Sequence, residues 1–188
     1  MATGDLEPVP MRLDHLAGVL ELGHRVFDVS VMPYTSWSLS SVAVHLDAQP
    51  DACWVVADAG RVVGFVLGSL SYDEREDWGY VEWIGVDSDY QGRGLAATLL
   101  EASCQALFAA GATRIVTDVE EDNAASIRLM QRNGFTDKVT VTLFVRHASG
   151  PRQPKQARKT PTRDPAKARL HAVARKQQPA TSRAESAS

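Results

Sequence analysis

The alternation of apolar and polar residues divides the first part of the chain into helix-like and strand-like stretches. Apolar residues at helical spacing predict a first helix within residues 11–27 and a second within residues 35–47, where Ser and Thr offer N-caps and Pro50 closes the segment. Two runs rich in β-branched residues over 53–72, joined by a turn at residues 58–60, predict an antiparallel hairpin.

The second half of the folded region continues with strands and helices in alternation. Residues 79–86 predict a third strand, residues 94–110 a long helix, and residues 113–119 the next strand. A further helix is predicted at 123–135, and residues 135–147 predict one or two closing strands. The order ααβββαβαββ indicates an α/β fold whose first half is mostly antiparallel.

Composition separates a domain from a tail. The 188 residues suffice for one domain, predicted at 6–147. Residues 148–188 are rich in Pro, Lys, Arg, Gln and Ala, with too few large apolar residues to offset the entropy of ordering, so we expect a disordered tail. Residues 151–188 hold 10 Lys and Arg against 2 Asp and Glu, whereas residues 1–150 hold 10 against 21. An acidic domain therefore precedes a basic tail.

Several classes of protein are disfavoured by composition. No apolar run approaches the ~18 residues of a membrane span, and the acidic start lacks the features of a signal peptide, so we expect a cytoplasmic protein without a membrane partner. The two cysteines, Cys53 and Cys104, are predicted core residues. The histidines show no metal-ligand spacing, so no metal is expected; His15, His24 and His45 are predicted to be half-buried or on the surface.

The stretch "VDSDYQGRGLAATLL" at residues 86–100 carries the strongest functional signal. Most helices place an acidic residue in the first turn, yet this one begins at Arg93 between two glycines, and its first acidic residue is Glu101. Exposed amides, missing side chains and an added positive charge indicate a phosphate site. A P-loop is excluded because Gly-Lys-Ser/Thr is absent.

A dinucleotide fingerprint is an open alternative at the same stretch. Gly92, Gly94 and Ala97 satisfy its spacing, and Asp118 lies further on near a strand end. Five residues separate Val86 from Gly92, however, where a nearly direct entry is expected, and only about 30 foldable residues follow Asp118. Both facts disfavour a Rossmann domain.

The same stretch resembles the acetyl-CoA signature of the GCN5-related N-acetyltransferase (GNAT) superfamily. Its pattern Q/RxxGxG/A is met by Gln91, Gly94 and Ala96. "DNAASIRLMQRNGF" is similar to the second motif of the superfamily through five positions, Asn123, Ser126, Leu129, Gly134 and Phe135. The resemblance covers residues 6–147 and implies an α/β GNAT fold, with a mixed, mostly antiparallel sheet that is splayed at the cofactor site and flanked by about four helices.

The resemblance also implies acetyl-CoA as cosubstrate, without a metal. By this resemblance the strand residues Ile84, Gly85 and Val86 are expected to bind the pantetheine through their backbone. The pyrophosphate is expected at the helix start, and the implied cofactor-binding residues there and on the later helix are Gln91, Gly92, Arg93, Gly94, Leu95, Ala96, Asn123 and Ser126. Asn123 suits an N-cap equally well.

Glu82 is the predicted catalytic base. The attacking amine must be deprotonated, and strand alternation puts Glu82 on the same face as Ile84 and Val86, with Tyr80 beside it as a weaker relay or substrate-binding candidate. An alternative role for Glu82 is to pair with a nearby arginine. Many superfamily members carry a tyrosine acid where this chain has Met130, which has no proton to give.

The acceptor is expected to be a cationic primary amine, such as a protein N-terminus, a lysine side chain or a polyamine-like small molecule. Acidic residues at 73, 74, 76 and 77 and at 120–122 would attract it, although solvated turns explain them as well. Tyr34 and Trp37 are candidates for the acceptor wall, because the corresponding region forms that wall in similar proteins; packing is the alternative for Trp37.

Two other functions stay open at this level. The first is a non-catalytic acyl-CoA sensor tethered by its basic tail, which could touch nucleic acid but has no aromatic residue for stacking on bases. The second, less favoured, is an NAD-dependent oxidoreductase. A homodimer is compatible with either activity.

Overall fold

The computed structural model of the protein describes residues 6–30, 32 and 35–144, so Tyr34 and the predicted tail lie outside the described residues. In this part the strands are β1 (Val9–Pro10), β2 (Cys53–Asp58), β3 (Arg61–Tyr72), β4 (Arg75–Val86) and β5 (Arg114–Val116). The α-helices are α1 (Leu16–Val26), α2 (Leu39–Ala48), α3 (Leu95–Ala109) and α4 (Ala124–Arg132).

The strands form one sheet in the order β1-β2-β3-β4-β5. Every neighbouring pair is antiparallel except β4 and β5, which run parallel. The parallel ladder ends at Tyr80↔Val116, whereas β4 continues to Val86. The two strands therefore part at this level, and the predicted mixed sheet with a split at its parallel pair is confirmed.

Two apolar cores lie on opposite faces of the sheet. Helices α3 and α4 cover one face with side chains that recur at helical spacing, including Leu95, Leu99, Leu107 and Met130. Helices α1 and α2 cover the other face, where four aromatic rings, those of Phe27, Trp37, Phe65 and Trp83, pack with centroids 4.8 to 5.9 Å apart. The sheet between these two layers holds the ends of β4 and β5 in place.

Local signals explain the helix boundaries. The Ser38 side chain accepts a hydrogen bond from the amide of Ser41, which caps α2 where Ser and Thr caps were predicted. Gly111, with φ +101°, follows the end of α3. The first predicted helix begins instead as a 3-10 turn at Leu13–His15 before α1. Strand β4 starts at residue 75 rather than 79 because the hairpin with β3 extends to the pair Tyr72↔Arg75.

The predicted closing strands are wrong for the described part of 135–147. Residues 136–144 form no strand, and Val139 and Phe144 are 85% and 88% exposed. An alternating pattern states only which side chains could be buried together, whereas a strand also needs a partner with free backbone groups. The pattern also missed β1, whose two residues pair with β2 and are too few to show a period.

Across residues 6–30 and 35–144, no helix combines the length and apolar character that crossing a bilayer requires.

Candidate active site

The loop that joins β4 to α3 is held by one buried carboxylate. Asp87 is 6% exposed and caps the short turn Ser88–Tyr90 by accepting from the amide of Asp89. Its Oδ2 atom lies 3.2 Å from Nη2 of Arg25 and 3.1 Å from Nη1 of Arg61. The amide of Asp89 and then the two arginines lower the pKa of Asp87, so the carboxylate is ionised at neutral pH.

The loop then leaves the first turn of α3 open. Gln91 donates from Nε2 to the carbonyl of Val86, at 3.2 Å, which ties the loop back to the strand end. Gly92 and Gly94 have φ of +75° and +83°, values that L side chains rarely adopt, and no described atom lies within 4 Å of where their Cβ atoms would be. Gly94 is the N-cap of α3 and makes no side-chain capping bond.

Arg93 lies beside this helix start. Its guanidinium carbon is 4.9 Å from the centroid of the Tyr90 ring, and Nη2 donates to the carbonyl of Asp89 at 3.0 Å. The first turn of α3 contains no acidic residue. Backbone amides and a guanidinium therefore give this end of the helix a positive potential that suits an anion.

A cavity lies where β4 and β5 part. It is lined from both helical layers and from the segment after β5, by Phe27, Met32, Thr35, Trp83, Ile84, Thr117, Asp118, Val119, Glu120, Asn123, Ser126 and Met130. Four predicted features meet there, namely the end of β4, the start of α4, Ser126 and the position of the missing tyrosine. The Asn123 side chain accepts from the amide of Ser126 at 3.1 Å, so it caps α4 while it lines the cavity.

A β-bulge places Glu82 on the other face of the sheet from the one predicted. Leu67 pairs with Trp83 and Gly68 with Val81, which leaves Glu82 as an extra residue in β4. Val81 packs in the core under α3, whereas Trp83 packs in the core under α1 and α2. The prediction that Glu82 shares the face of Ile84 and Val86 is therefore wrong, because period-2 alternation is broken at the bulge. Tyr80 does share the face of Glu82, as predicted.

The bulge brings Glu82 to α2. Oε2 of Glu82 lies 2.9 Å from Nε2 of His45, and their side chains are 23% and 6% exposed. His45 is buried, contrary to its predicted half-buried or surface position. On the same face, Tyr80 donates from its hydroxyl to Asp118. Burial, and next the charges of Asp118 and Glu82, raise the pKa of Tyr80 well above its usual value, so this phenol keeps its proton.

The chain matches the model of one protein family. The model of the acetyltransferase (GNAT) family matches residues 23–135, which include β2 to β5 and the whole cavity. The chain belongs to the GNAT family. Its two site motifs thus lie in the region that defines the family.

Curated relatives of this GNAT-family protein match over part of their length. An acetyltransferase of Sodalis glossinidius is 36% identical over 99 residues, which are 53% of this chain and 67% of the relative. An acetyltransferase of Photorhabdus laumondii is 33% identical over 93 residues, or 50% of this chain and 62% of the relative. N-alpha-acetyltransferase 30 of Schizosaccharomyces pombe is 30% identical over 87 residues, or 46% and 58%. The chain thus spans about three fifths to two thirds of these relatives.

Solved structures share the fold. The NatC complex bound to Gag peptide and CoA has a chain that superposes with a TM-score of 0.60 at 19% identity, covering 68% of this chain and 84% of that chain. AAC(6')-Iy in complex with the bisubstrate analog CoA-S-monomethyl-acetylneamine superposes with a TM-score of 0.61 at 19% identity, covering 76% and 98%. The alternative prediction of an NAD-dependent oxidoreductase is wrong. Its doubly wound sheet needs several parallel strands, whereas the described strands contain one parallel pair, β4 and β5.

Within this GNAT-family domain, Trp37, one of the two candidates for the acceptor wall, does not line the cavity. Trp37 is 5% exposed, and its Nε1 donates to the carbonyl of Leu20 at 2.8 Å. Its ring also packs against Gly23, where any Cβ would come within 2.1 Å of it. Trp37 has the packing role that was the alternative prediction, and Tyr34 lies outside the described residues.

The acidic residues divide into two groups. Asp118 and Glu120 line the cavity. Residues 73, 74, 76 and 77 lie at the far end of the β3–β4 hairpin, where Asp77 accepts from Thr113 and Arg75. Hydrogen bonds from Thr113 and Arg75 lower the pKa of Asp77. The hairpin group is therefore part of the sheet edge before the parallel ladder and not of the cavity wall.

The two cysteines are core residues, as predicted. Both thiols are buried, and burial raises the pKa of Cys53 to about 12 and that of Cys104 to about 11, so neither is an activated nucleophile. The described residues contain no group of three or more His, Cys, Asp or Glu side chains placed to hold a metal ion.

Two residues of the site were missed in the sequence. Asp87 was not singled out, although an Asp directly after a strand and before a tight turn is a known capping signal. His45 carried no such signal, because it meets Glu82 across a separation of 37 residues.

Proposed function

We propose that the protein is an N-acetyltransferase that transfers the acetyl group of acetyl-CoA to a cationic primary amine, with Glu82 as the base. The observation that carries this proposal is the open N-terminus of α3 beside the parted strands β4 and β5. An uncapped helix start with two positive-φ glycines suits a pyrophosphate, and the edge of β4 beyond its ladder with β5 suits an extended amide chain.

The residues proposed to hold acetyl-CoA follow from these positions. Backbone groups of Ile84, Gly85 and Val86 lie at the end of β4 beyond its ladder with β5, and the amides of residues 92–96 lie at the helix start with Arg93. Asn123 and Ser126 line the cavity on the opposite side. Asp87 and Gln91 support the loop from behind. Acetyl-CoA supplies a thioester whose acyl carbon accepts the amine as the carbon–sulfur bond breaks.

Glu82 is proposed to take the proton that the acceptor must lose. An ordinary alkyl ammonium is almost wholly protonated at neutral pH, so its lone pair becomes available only after proton transfer. The Glu82 carboxylate lies at the bulge, one residue before Trp83 of the cavity wall, and accepts that proton directly or through water. Tyr80 keeps its proton and holds Asp118 rather than acting as a base.

The leaving thiolate receives no proton from the position of the usual tyrosine. Met130 is 6% exposed and packs under α3, and its thioether has no acidic hydrogen. Departure of the thiolate without an acid is reasonable, since an ordinary thiol has a pKa of about 8.5. The proton then reaches sulfur from solvent after the carbon–sulfur bond has broken.

A cationic acceptor is supported by Asp118 and Glu120 in the cavity wall. Among the similar proteins are N-alpha-acetyltransferase 30 of Schizosaccharomyces pombe and AAC(6')-Iy bound to an analog that joins CoA to neamine. A protein N-terminus, a lysine side chain and a polyamine-like molecule are the acceptor classes that this chain is proposed to use. The cytoplasmic location, the homodimer and nucleic-acid contact by the tail stay predictions.

The test is an acceptor screen that follows thiol release from acetyl-CoA. Peptides with free N-termini, acetyl-blocked peptides with lysine, polyamines and aminoglycosides are compared at low and high salt. We expect acceptor-dependent thiol from at least one class, with a KM that rises as salt screens the acidic wall. An acceptor KM that stays constant over a tenfold range of ionic strength contradicts the electrostatic part of the proposal.

A second candidate function is a non-catalytic acyl-CoA sensor, favoured by the specific observation that Met130 occupies the place of an acid. Tight binding of acetyl-CoA in calorimetry, with no thiol released by any acceptor class, would establish the sensor. Removal of residues 150–188 tests whether the tail tethers such a sensor to nucleic acid. A tethered sensor should lose its retention on DNA or RNA when the tail is removed.

A further inference from the structure

His45 is the one histidine among the described residues that is buried. It is 5% exposed on α2, one turn after the buried Val42, so it belongs to the inner face of the helix. Its Nε2 lies 2.9 Å from Oε2 of Glu82, while its Nδ1 is buried without a hydrogen-bond partner in the described part of the chain. A buried imidazole with one satisfied and one unsatisfied nitrogen needs an explanation.

The contacts assign the roles of the two nitrogens. An ionised carboxylate only accepts hydrogen bonds, so Nε2 carries the hydrogen and donates it to Glu82. Nδ1 then carries a lone pair in the neutral ring, or a second N–H in the imidazolium. In either form Nδ1 has no hydrogen-bond partner among the described residues, so Nε2 is the nitrogen through which the ring acts on Glu82.

The position of Glu82 explains why such a donor is useful. Glu82 is the extra residue of the bulge opposite Leu67 and Gly68, and its side chain has one more rotatable bond than that of Asp. A donor on a helix that is packed against the sheet restricts the carboxylate to one rotamer. General-base catalysis depends on that restriction, because a displacement of about 1 Å can cost about 100-fold in rate.

We propose that His45 is a positioning residue, which donates a hydrogen bond from Nε2 to Glu82 and fixes the carboxylate for proton abstraction. This inference rests on the proposed role of Glu82. His45 itself transfers no proton. The role therefore requires only a neutral donor at the place of Nε2, and this requirement distinguishes it from a proton relay and from a purely structural contact.

The experiment uses His45→Gln, His45→Leu and His45→Asn in the full chain, measured by thiol release with the best acceptor of the screen. The Nε2 atom of Gln is as many bonds from the backbone as Nε2 of His, whereas the amide of Asn ends at the level of Nδ1. His24→Gln on the exposed face of α1 is the matched control. Thermal unfolding of each variant is recorded, and Glu82→Gln and the double variant Glu82→Gln/His45→Leu complete a cycle.

We expect His45→Leu to lower kcat by about 10- to 100-fold with the KM for acetyl-CoA changed by less than about twofold. His45→Gln should stay within about threefold of the parent in kcat, and His45→Asn should resemble His45→Leu. In the Glu82→Gln background, His45→Leu should lower kcat by less than about twofold, because the positioned group is already gone. If His45→Leu does not fold, the pair of Gln and Asn variants carries the test.

Three results would overturn the inference. A kcat for His45→Gln as low as that of His45→Leu, in folded protein, means that a neutral donor is not enough. An unchanged kcat for His45→Leu with a lowered unfolding temperature means that the contact is structural. An equal loss in the parent and Glu82→Gln backgrounds means that His45 does not act through Glu82. A Glu82→Gln variant with parental kcat is different, since it removes the proposed base and this inference with it.

Discussion

The loop at residues 87–94 directly follows the strand that contains the bulge at Glu82, yet the two features are built in opposite ways. The loop is shaped mostly by near neighbours, because Gln91 donates to the carbonyl of Val86, Asp87 caps its own turn, and the glycines set the start of α3. Distant segments contribute Arg25 and Arg61, which pair with Asp87. The bulge is organised by distant segments, since α2 supplies His45 to Glu82 and the segment after β5 supplies Asp118 to Tyr80. The proposed cofactor site is thus encoded mostly in the local sequence, whereas the position of the proposed base depends on the tertiary structure.

Loss of the carboxylate at the bulge is the strongest test of this contrast. Glu82→Gln keeps the size and a hydrogen-bond acceptor for His45 but cannot take a proton at neutral pH. We expect kcat to fall by about 100- to 1,000-fold, with the dissociation constant for CoA within about twofold of the parent. Thiol release and calorimetry measure the two quantities. A parental kcat would show that the base lies elsewhere, and a large loss of CoA affinity would show that the two regions are not separate.

The loop should respond in the reverse manner. Gly94→Val places a β-branched residue at φ +83°, which strains the start of α3 where the amides are proposed to hold the pyrophosphate. We expect the dissociation constant for CoA to rise about tenfold, equivalent to about 1.4 kcal/mol, while kcat at saturation falls by less than about threefold. Gly111→Val is the matched control, since Gly111 has φ +101° at the other end of the same helix. Equal CoA affinities of the two variants would argue against a cofactor site at the N-terminus.

The smallest expected effect concerns the ion pairs of Asp87 with Arg25 and Arg61, which we call the Asp87 clasp. Its loss should weaken CoA binding in a manner that depends on pH. Asp87→Asn should raise the dissociation constant for CoA about threefold at pH 7, because the charge that holds Arg25 and Arg61 is lost. The folded pKa of Asp87 lies below its ordinary value of 3.8, so the stabilisation is present at neutral pH and disappears as the pH falls through the folded value.

The ratio of the variant and parent dissociation constants should therefore stay constant down to pH 3.8 and shrink toward one only below it. Asp77→Asn is the control, because Asp77 also has a lowered pKa but lies at the hairpin end of β4. If Asp77→Asn raises the dissociation constant for CoA as much as Asp87→Asn does, the effect of Asp87→Asn reflects general stability and not the Asp87 clasp.

Much of this arrangement was readable from local patterns. The helices α2, α3 and α4, the β2–β3 hairpin and the caps at Ser38 and Asn123 follow from helical or strand periodicity together with short-range hydrogen bonds. The prediction of a phosphate site at the start of α3 rests on charge and glycine positions alone. The prediction of closing strands was wrong because the segment with Val139 and Phe144 has the alternating pattern of a strand but no partner strand among the described residues.

The reacting side of the site could not be read in this way. Strand alternation assigned Glu82 to the face of Ile84, and a single extra residue opposite Leu67 and Gly68 reversed that assignment. His45 looked like any surface histidine until α2 packed on the sheet, and Trp37 looked like a binding residue until its ring filled the space beside Gly23.

The sequence by itself determined the turn, the cap and the glycine conformations of the loop, since these involve residues within a few positions of each other. The tertiary structure added the ion pairs of Asp87 with Arg25 and Arg61. Tertiary structure alone decided where Glu82 points and what it meets. Bulge register and helix docking depend on the summed packing of distant segments, in which no single residue carries a visible signal.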